Sequence, residues 1–290
     1  MRDGSKDYQT DDTKLSRCIR DEADCGELQN DLDRISHWCE IWQMILNITK
    51  CKVMHIGKAT VTETYSMNTQ KGTDELEVVN EEKDLGIYID DDLKLTTHIC
   101  HTVATGNRML GLIKRAFVHR DKHLMKMLIT SMVRPQLEYG NIIWSPKYKK
   151  DIEALEKVQR RATRLVHGLS GMSYEERLRE MDLPSLVYRR LRGDMIEVYK
   201  YTHHLYNVDR STLLPSHDSS SAMITRGNSL KLKKRFCRTQ LRAKFFGLRI
   251  VESWNSLPEG IVSAPSINSF KGKLDKHWRD LKYQTNIHET

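Results

Sequence analysis

Leu28, Leu32, Ile35, Cys39, Trp42 and Leu46 recur at steps of four and three, so residues 21–46 present one apolar helix face. Asp21 or Asp24 supplies an N-terminal cap and places negative charge at the positive end of the helix dipole, and Asn47 fits the end. Trp38 and Trp42 on this helix are expected in the core. Short β-rich runs follow at 52–58, 61–67, 76–79 and 85–89, separated by turn signals such as Lys71-Gly72-Thr73-Asp74. This pattern predicts a helix followed by a small antiparallel sheet.

From Thr96 the period becomes helical. Ile99, Val103, Leu110, Ile113 and Phe117 mark one helix, and Leu124, Leu128 and Met132 a second that stops before Pro135. Residues 152–166 and 186–205 predict two more, with a shorter helix over 174–181. Periodicity is lost over 209–228, where Ser219-Ser220-Ser221 lies, which predicts a flexible linker. A basic run then leads to a final helix with Ile267, Phe270, Leu274, Trp278 and Leu281 on one face. The expected class is α+β, mostly α, divided into 1–95, a helical region 96–208, the linker, and a basic extension 229–290.

Charge divides the chain in the same way. Residues 1–100 hold 12 basic and 21 acidic side chains, a net of −9, whereas residues 101–290 carry +17. Such asymmetry predicts a polyanion partner for the second part. No apolar run reaches the roughly 18 residues of a membrane span, and the first residues lack the apolar core of a signal peptide. Six widely spaced cysteines without a Cys-x-x-Cys pair predict reduced thiols in an intracellular protein, nuclear or cytoplasmic.

Two groups of residues carry candidate chemistry. Asp11 and Asp12 are adjacent carboxylates able to face one divalent cation from a tight turn, although such pairs are common as solvated turns, as Asp90-Asp91-Asp92 illustrates. The second group is the window 226–249, which has nine Lys or Arg and no acidic residue. Its cations are Arg226, Lys231, Lys233, Lys234, Arg235, Arg238, Arg242, Lys244 and Arg249, interleaved with Phe236, Phe245 and Phe246. Cations release counterions from phosphates and aromatics stack on unpaired bases, so this window is expected to bind RNA or DNA. Lys157, Arg160, Arg161 and Arg164 form a weaker patch spaced along one helix. His98, Cys100 and His101 lack a second ligand pair and do not predict a zinc site.

The order of the motifs is more specific than any one of them. Asp11-Asp12-Thr13-Lys14-Leu15, the helix with Leu28–Trp42, Asn47-Ile48-Thr49-Lys50 and Lys83-Asp84-Leu85-Gly86-Ile87 follow one another. Arg134-Pro135-Gln136-Leu137-Glu138-Tyr139-Gly140, Leu155-Glu156-Lys157-Val158-Gln159-Arg160-Arg161, Trp254-Asn255-Ser256-Leu257-Pro258 and Ser269-Phe270-Lys271 complete the series. The series resembles the reverse transcriptase of jockey-like or chicken-repeat-like retrotransposons without long terminal repeats, from the end of the palm through the thumb and a C-terminal extension. Gln9, where the family usually has an aromatic residue, and Thr10, where it generally has Ala, depart from the pattern.

The resemblance implies an RNA-directed DNA polymerase acting by two-metal phosphoryl transfer on a template-primer, with Asp11 and Asp12 as ligands of Mg²⁺. It also implies that Lys50 acts on the departing pyrophosphate or nucleotide phosphates, and that Leu85 and Gly86 form the hairpin gripping the primer end. Only ten residues precede Asp11, so the fingers and a third metal-binding aspartate are expected upstream, in a missing segment. The expectation is a truncated relic, with a non-catalytic nucleic-acid-binding module as the alternative and a decayed reading frame as the plainest reading. Primer extension by this chain alone with Mg²⁺ is expected to give no synthesis; robust Mg²⁺-dependent synthesis contradicts the expectation.

Overall fold

The computed structural model describes residues 13–58, 61–69, 72–207, 213–214 and 228–285. They are mostly helical with a few short strands and fall into two compact units, Met1–Leu93 and Lys94–Thr290.

In the first unit, α1 spans Glu22–Ile41, and the Asp21 side chain accepts from the Asp24 amide at its start. The helix stops five residues short of the expected end because Gln43 enters the left-handed region at φ 54°, and the Met44 amide folds back to the Cys39 carbonyl. Trp42 therefore lies past the helix, and Trp38 and Trp42 are 51% and 65% exposed rather than in the core. Cys25, Ser36 and Cys39 are the buried residues of α1, and Leu28, Leu32 and Ile35, partly buried, pack against Tyr65, Met67 and Leu76.

The strands are β1 (Lys52–Val53), β2 (Ser66–Thr69), β3 (Gly72–Glu75), β4 (Glu77–Val78), β5 (Glu81–Asp84) and β6 (Ile87–Asp90). They do not merge into the expected antiparallel sheet. β1 pairs with β4 in parallel, while β2–β3 and β5–β6 are separate antiparallel hairpins. β3 is exposed throughout and β5 nearly so, so neither has an apolar face to stack on a neighbour. Gln29 of α1 compensates at the edge of β2: its amide donates to the Ser66 carbonyl at 2.8 Å and accepts from the Ser66 amide at 3.1 Å.

The second unit begins with α2 (Thr96–Ala116), whose buried face runs through Ile99, Thr102, Gly106, Leu110 and Ile113. Next come α3 (Lys122–Leu128), a π-helical turn (Ile129–Val133) and α4 (Arg134–Glu138), so the helix expected to stop before Pro135 continues through it. The π turn accommodates the proline. The Arg134 amide reaches back five residues to Ile129, and Thr130 and Ser131 hydroxyls bond the Lys126 and Met127 carbonyls. At Gly106 a Cβ would lie 2.9 Å from the Leu137 side chain and 3.1 Å from Val158, which is why α2 can cross this closely over α4 and α6 (Lys149–Arg164).

After α5 (Asn141–Trp144) and α6 come α7 (Tyr174–Glu180), opened by a Ser173–Glu176 capping box, and α8 (Leu186–Thr202). The C-terminal helices are α9 (Gln240–Ala243), α10 (Phe246–Arg249), α11 (Val251–Asn255), α12 (Glu259–Val262) and α13 (Ile267–His277). Residues beyond the expected linker do not form a separate body: Val187, Met195, Val198 and Tyr199 of α8 share one core with Phe246, Ile250, Trp254, Val262, Phe270 and Leu274. Tyr199 stacks on Phe270 at 4.5 Å and donates to the Ala264 carbonyl at 2.6 Å. Most of the expected linker, 209–228, lies outside the described residues, but Leu214 is buried in this core and Asn228 donates to the Trp254 and Leu257 carbonyls.

Two of the motifs quoted above meet in a buried polar junction. The Glu156 carboxylate accepts from the Tyr174 hydroxyl at 2.5 Å and from the Leu186 amide at 3.1 Å, at the positive end of α8. Gln159 donates to Tyr174 and to the Pro184 carbonyl, and Arg134 donates to both Gln159 and Pro184. Arg189 grips Glu138 with two hydrogen bonds. Burial pushes the Glu156 carboxyl up, while its hydrogen bonds and Arg190 and Arg134 pull it back. Removing one partner from a buried charge cluster costs about 3–5 kcal/mol. Glu156→Ala is accordingly expected to lower the unfolding free energy by about that amount in urea titrations; a loss below about 1 kcal/mol, the scale of an exposed pair, contradicts this role.

Candidate nucleic-acid interface

Asp11 and Asp12 lie outside the described residues, as does Arg226. Among the described residues no group of three or more His, Cys, Asp or Glu is placed to hold a metal ion. The described residues therefore supply no ligand set of that size for the implied Mg²⁺. His98 is buried with its ring 4.9 Å from Trp144, while Cys100 is exposed, so these neighbours in sequence do not converge. No disulfide joins the described cysteines. No described helix is long and apolar enough to cross a membrane.

Lys50 ends a 3₁₀ turn (Ile48–Lys50) and is exposed. Leu85 and Gly86 do not begin a strand; they form the two-residue tip between β5 and β6, since Asp84 pairs with Ile87. Both have positive φ, 46° and 86°, the geometry of the turns that match the twist of paired strands. Gly is at home there. Leu is not, and Leu85 presents its side chain 78% exposed at the tip.

The basic window is divided by the fold. Arg249, counted above with the nucleic-acid cations, is instead part of the architecture: its guanidinium makes two hydrogen bonds to Asp194 on α8, at 2.8 and 2.9 Å, and a third to the Ile142 carbonyl. The Arg249 and Asp194 side chains are only 11% and 9% exposed, so the guanidinium is spent on the fold. Burial pushes the Asp194 carboxyl up and the Arg249 hydrogen bonds oppose it. Phe246 is likewise core. Lys234 pairs with Glu252 at the surface, and Lys231 is half-buried.

The remaining cations, Lys233, Arg235, Arg238, Arg242 and Lys244, are exposed. Among the described residues, no ion pair to an acidic side chain is found for Arg235, Arg238 or Lys244. Arg242 lies over the Phe245 ring at 4.9 Å, a planar cation on a planar ring.

The patch on α6 gains a partner that the sequence did not single out. An open groove of about 560 Å³ separates α2 from α6. Its floor is Leu110, Gly111 and Leu165; its rim is Asn107, Lys114, Arg161 and Arg164. Arg161 donates to Asn107 across the groove at 2.9 Å, which orients the guanidinium. Arg160 turns away and sits over the Tyr174 ring at 4.9 Å. Lys114 lies seven residues after Asn107, two helical turns along the same face, a spacing visible in the sequence once a groove is known to be there. Among the described residues that line the groove, none is acidic.

Comparison with protein-family models, with curated proteins and with solved structures returns no match.

Proposed function

We propose that the chain is the nucleic-acid-holding part of a reverse transcriptase of the non-long-terminal-repeat kind, comprising the end of the palm, the thumb and the C-terminal extension. The ordered series of motifs supports the family reading. The groove between α2 and α6 carries the binding function: Lys114, Arg161 and Arg164 rim an open channel with no carboxylate among its lining residues. A chain of phosphates satisfies such a rim, because each neutralised phosphate releases condensed counterions. The apolar floor suits the sugar edge of a nucleic acid. In this reading the hairpin tip of Leu85 and Gly86 contacts the primer backbone and Lys50 the nucleotide phosphates, while Asp11, Asp12 and Mg²⁺ belong to polymerase chemistry in the intact parent. A non-catalytic module holding RNA or DNA uses the same groove and differs only in lacking that chemistry.

Fluorescence anisotropy with a labelled RNA or DNA template-primer tests the groove. Wild-type affinity is expected to fall steeply with salt, and Lys114→Ala/Arg161→Ala/Arg164→Ala is expected to reduce the slope of log affinity against log salt by about 2–3 units. An unchanged slope in the triple variant overturns the assignment of the groove.

A further inference from the structure

Phe236 is 91% exposed, the most exposed large apolar side chain among the described residues. Its exposure is built, because the chain is fastened on both sides of it. Upstream, the Asn255 side chain accepts from the Leu232 amide at 2.8 Å and donates to the Leu232 carbonyl at 2.9 Å. The Trp254 indole donates to the Leu230 carbonyl, and Leu232 itself is buried. Downstream, the Thr239 hydroxyl caps α9 by accepting from the Arg242 amide, and Phe246 is sunk in the core. Six residues, 233–238, span the two anchors and hold Phe236 out between them.

The surroundings of the ring specify what covers it. Lys233, Arg235 and Arg238 flank it, all exposed, and the window 226–249 contains no acidic residue. A purely apolar partner would leave the Arg235 and Arg238 guanidinia, which have no ion pair among the described residues, desolvated and unpaired. A single-stranded nucleic acid satisfies both demands, presenting a planar base to the ring and a phosphate on either side to the cations. A duplex offers phosphates alone, since its bases are already stacked.

We propose that Phe236 is a stacking platform for an unpaired nucleobase, with Arg235 and Arg238 holding the adjoining phosphates. The proposal rests on the nucleic-acid reading above and names its substrate class as single strands, RNA or DNA.

The test uses the full chain, with labelled oligo-U RNA, oligo-dT DNA and a blunt DNA duplex as probes. Because Phe236 is exposed, Phe236→Ala is expected to melt like the wild type. It is expected to bind both single strands about 5- to 100-fold more weakly, the worth of one stacked base, with duplex affinity and salt slope unchanged. Phe236→Trp is expected to retain affinity and to show quenched indole fluorescence on binding a single strand. Loss with only one of the two single strands narrows the class to RNA or DNA and leaves the stacking intact. Full affinity in Phe236→Ala, alongside a loss in Arg235→Ala/Arg238→Ala, overturns the platform while the charge reading stands. Rescue by Phe236→Leu overturns it as well, because an aliphatic side chain cannot stack. Wild-type chain that binds none of the probes overturns both this proposal and the reading beneath it.

Discussion

The second unit depends on one buried carboxylate. Glu156 projects from α6 into the start of α8, where the Leu186 amide and the Tyr174 hydroxyl both donate to it. A charge placed there without partners is expensive, so α6, α7 and α8 are tied to one arrangement that keeps it hydrogen-bonded. Arg190 is buried alongside; its two terminal nitrogens have no hydrogen bond among the described residues, and its charge is balanced by Glu156, Glu138 and Asp194. Once α8 is set, its opposite face receives α10 to α13, and Asp194 fixes Arg249. The same helix that carries Glu156 inward turns Lys157, Arg161 and Arg164 outward. One helix thus links the junction to the groove.

This arrangement divides the positive charge of the chain into two classes. Arg134, Arg177, Arg189, Arg192 and Arg249 are held by carbonyls or side chains of the fold: Arg177, for example, donates to the Thr163 hydroxyl and the Met172 carbonyl, and Arg192 grips Asp275 with two hydrogen bonds. They position helices. Lys114, Arg161, Arg164, Arg235, Arg238 and Lys244 are exposed and make no ion pair with an acidic side chain among the described residues, so in the proposed function they meet phosphates. The excess of +17 beyond residue 100 is therefore a poor measure of binding charge, because much of it is architectural.

Helix positions were legible in the sequence, because a buried face must repeat every three or four residues whatever it packs against. Ends were less so. Gln43 in the left-handed region and the π turn before Pro135 are local solutions that no apolar spacing encodes. The linker signal over 209–228 failed to separate two bodies because Trp254, Phe270 and Leu274 pack against α8, a partner more than fifty residues away. In the candidate interface, composition located the basic window but could not sort it. Arg249 and Arg235 look alike until Asp194, on another helix, is seen beside only one of them. Lys114 was missed because its partners lie across the α2–α6 crossing, made close by Gly106. The motifs around Glu138, Glu156 and Asn255 are explained by buried hydrogen bonds that sequence alone does not reveal.

The central claim is that arginines hydrogen-bonded within the fold build this unit while a separate set of exposed cations meets nucleic acid. Lysine footprinting by mass spectrometry, with and without single-stranded RNA, reads the exposed half of that division. The account predicts protection of Lys114 and Lys244, with Lys122 and Lys276 modified equally in both states. Uniform modification of all four, or protection confined to Lys122 and Lys276, would contradict it.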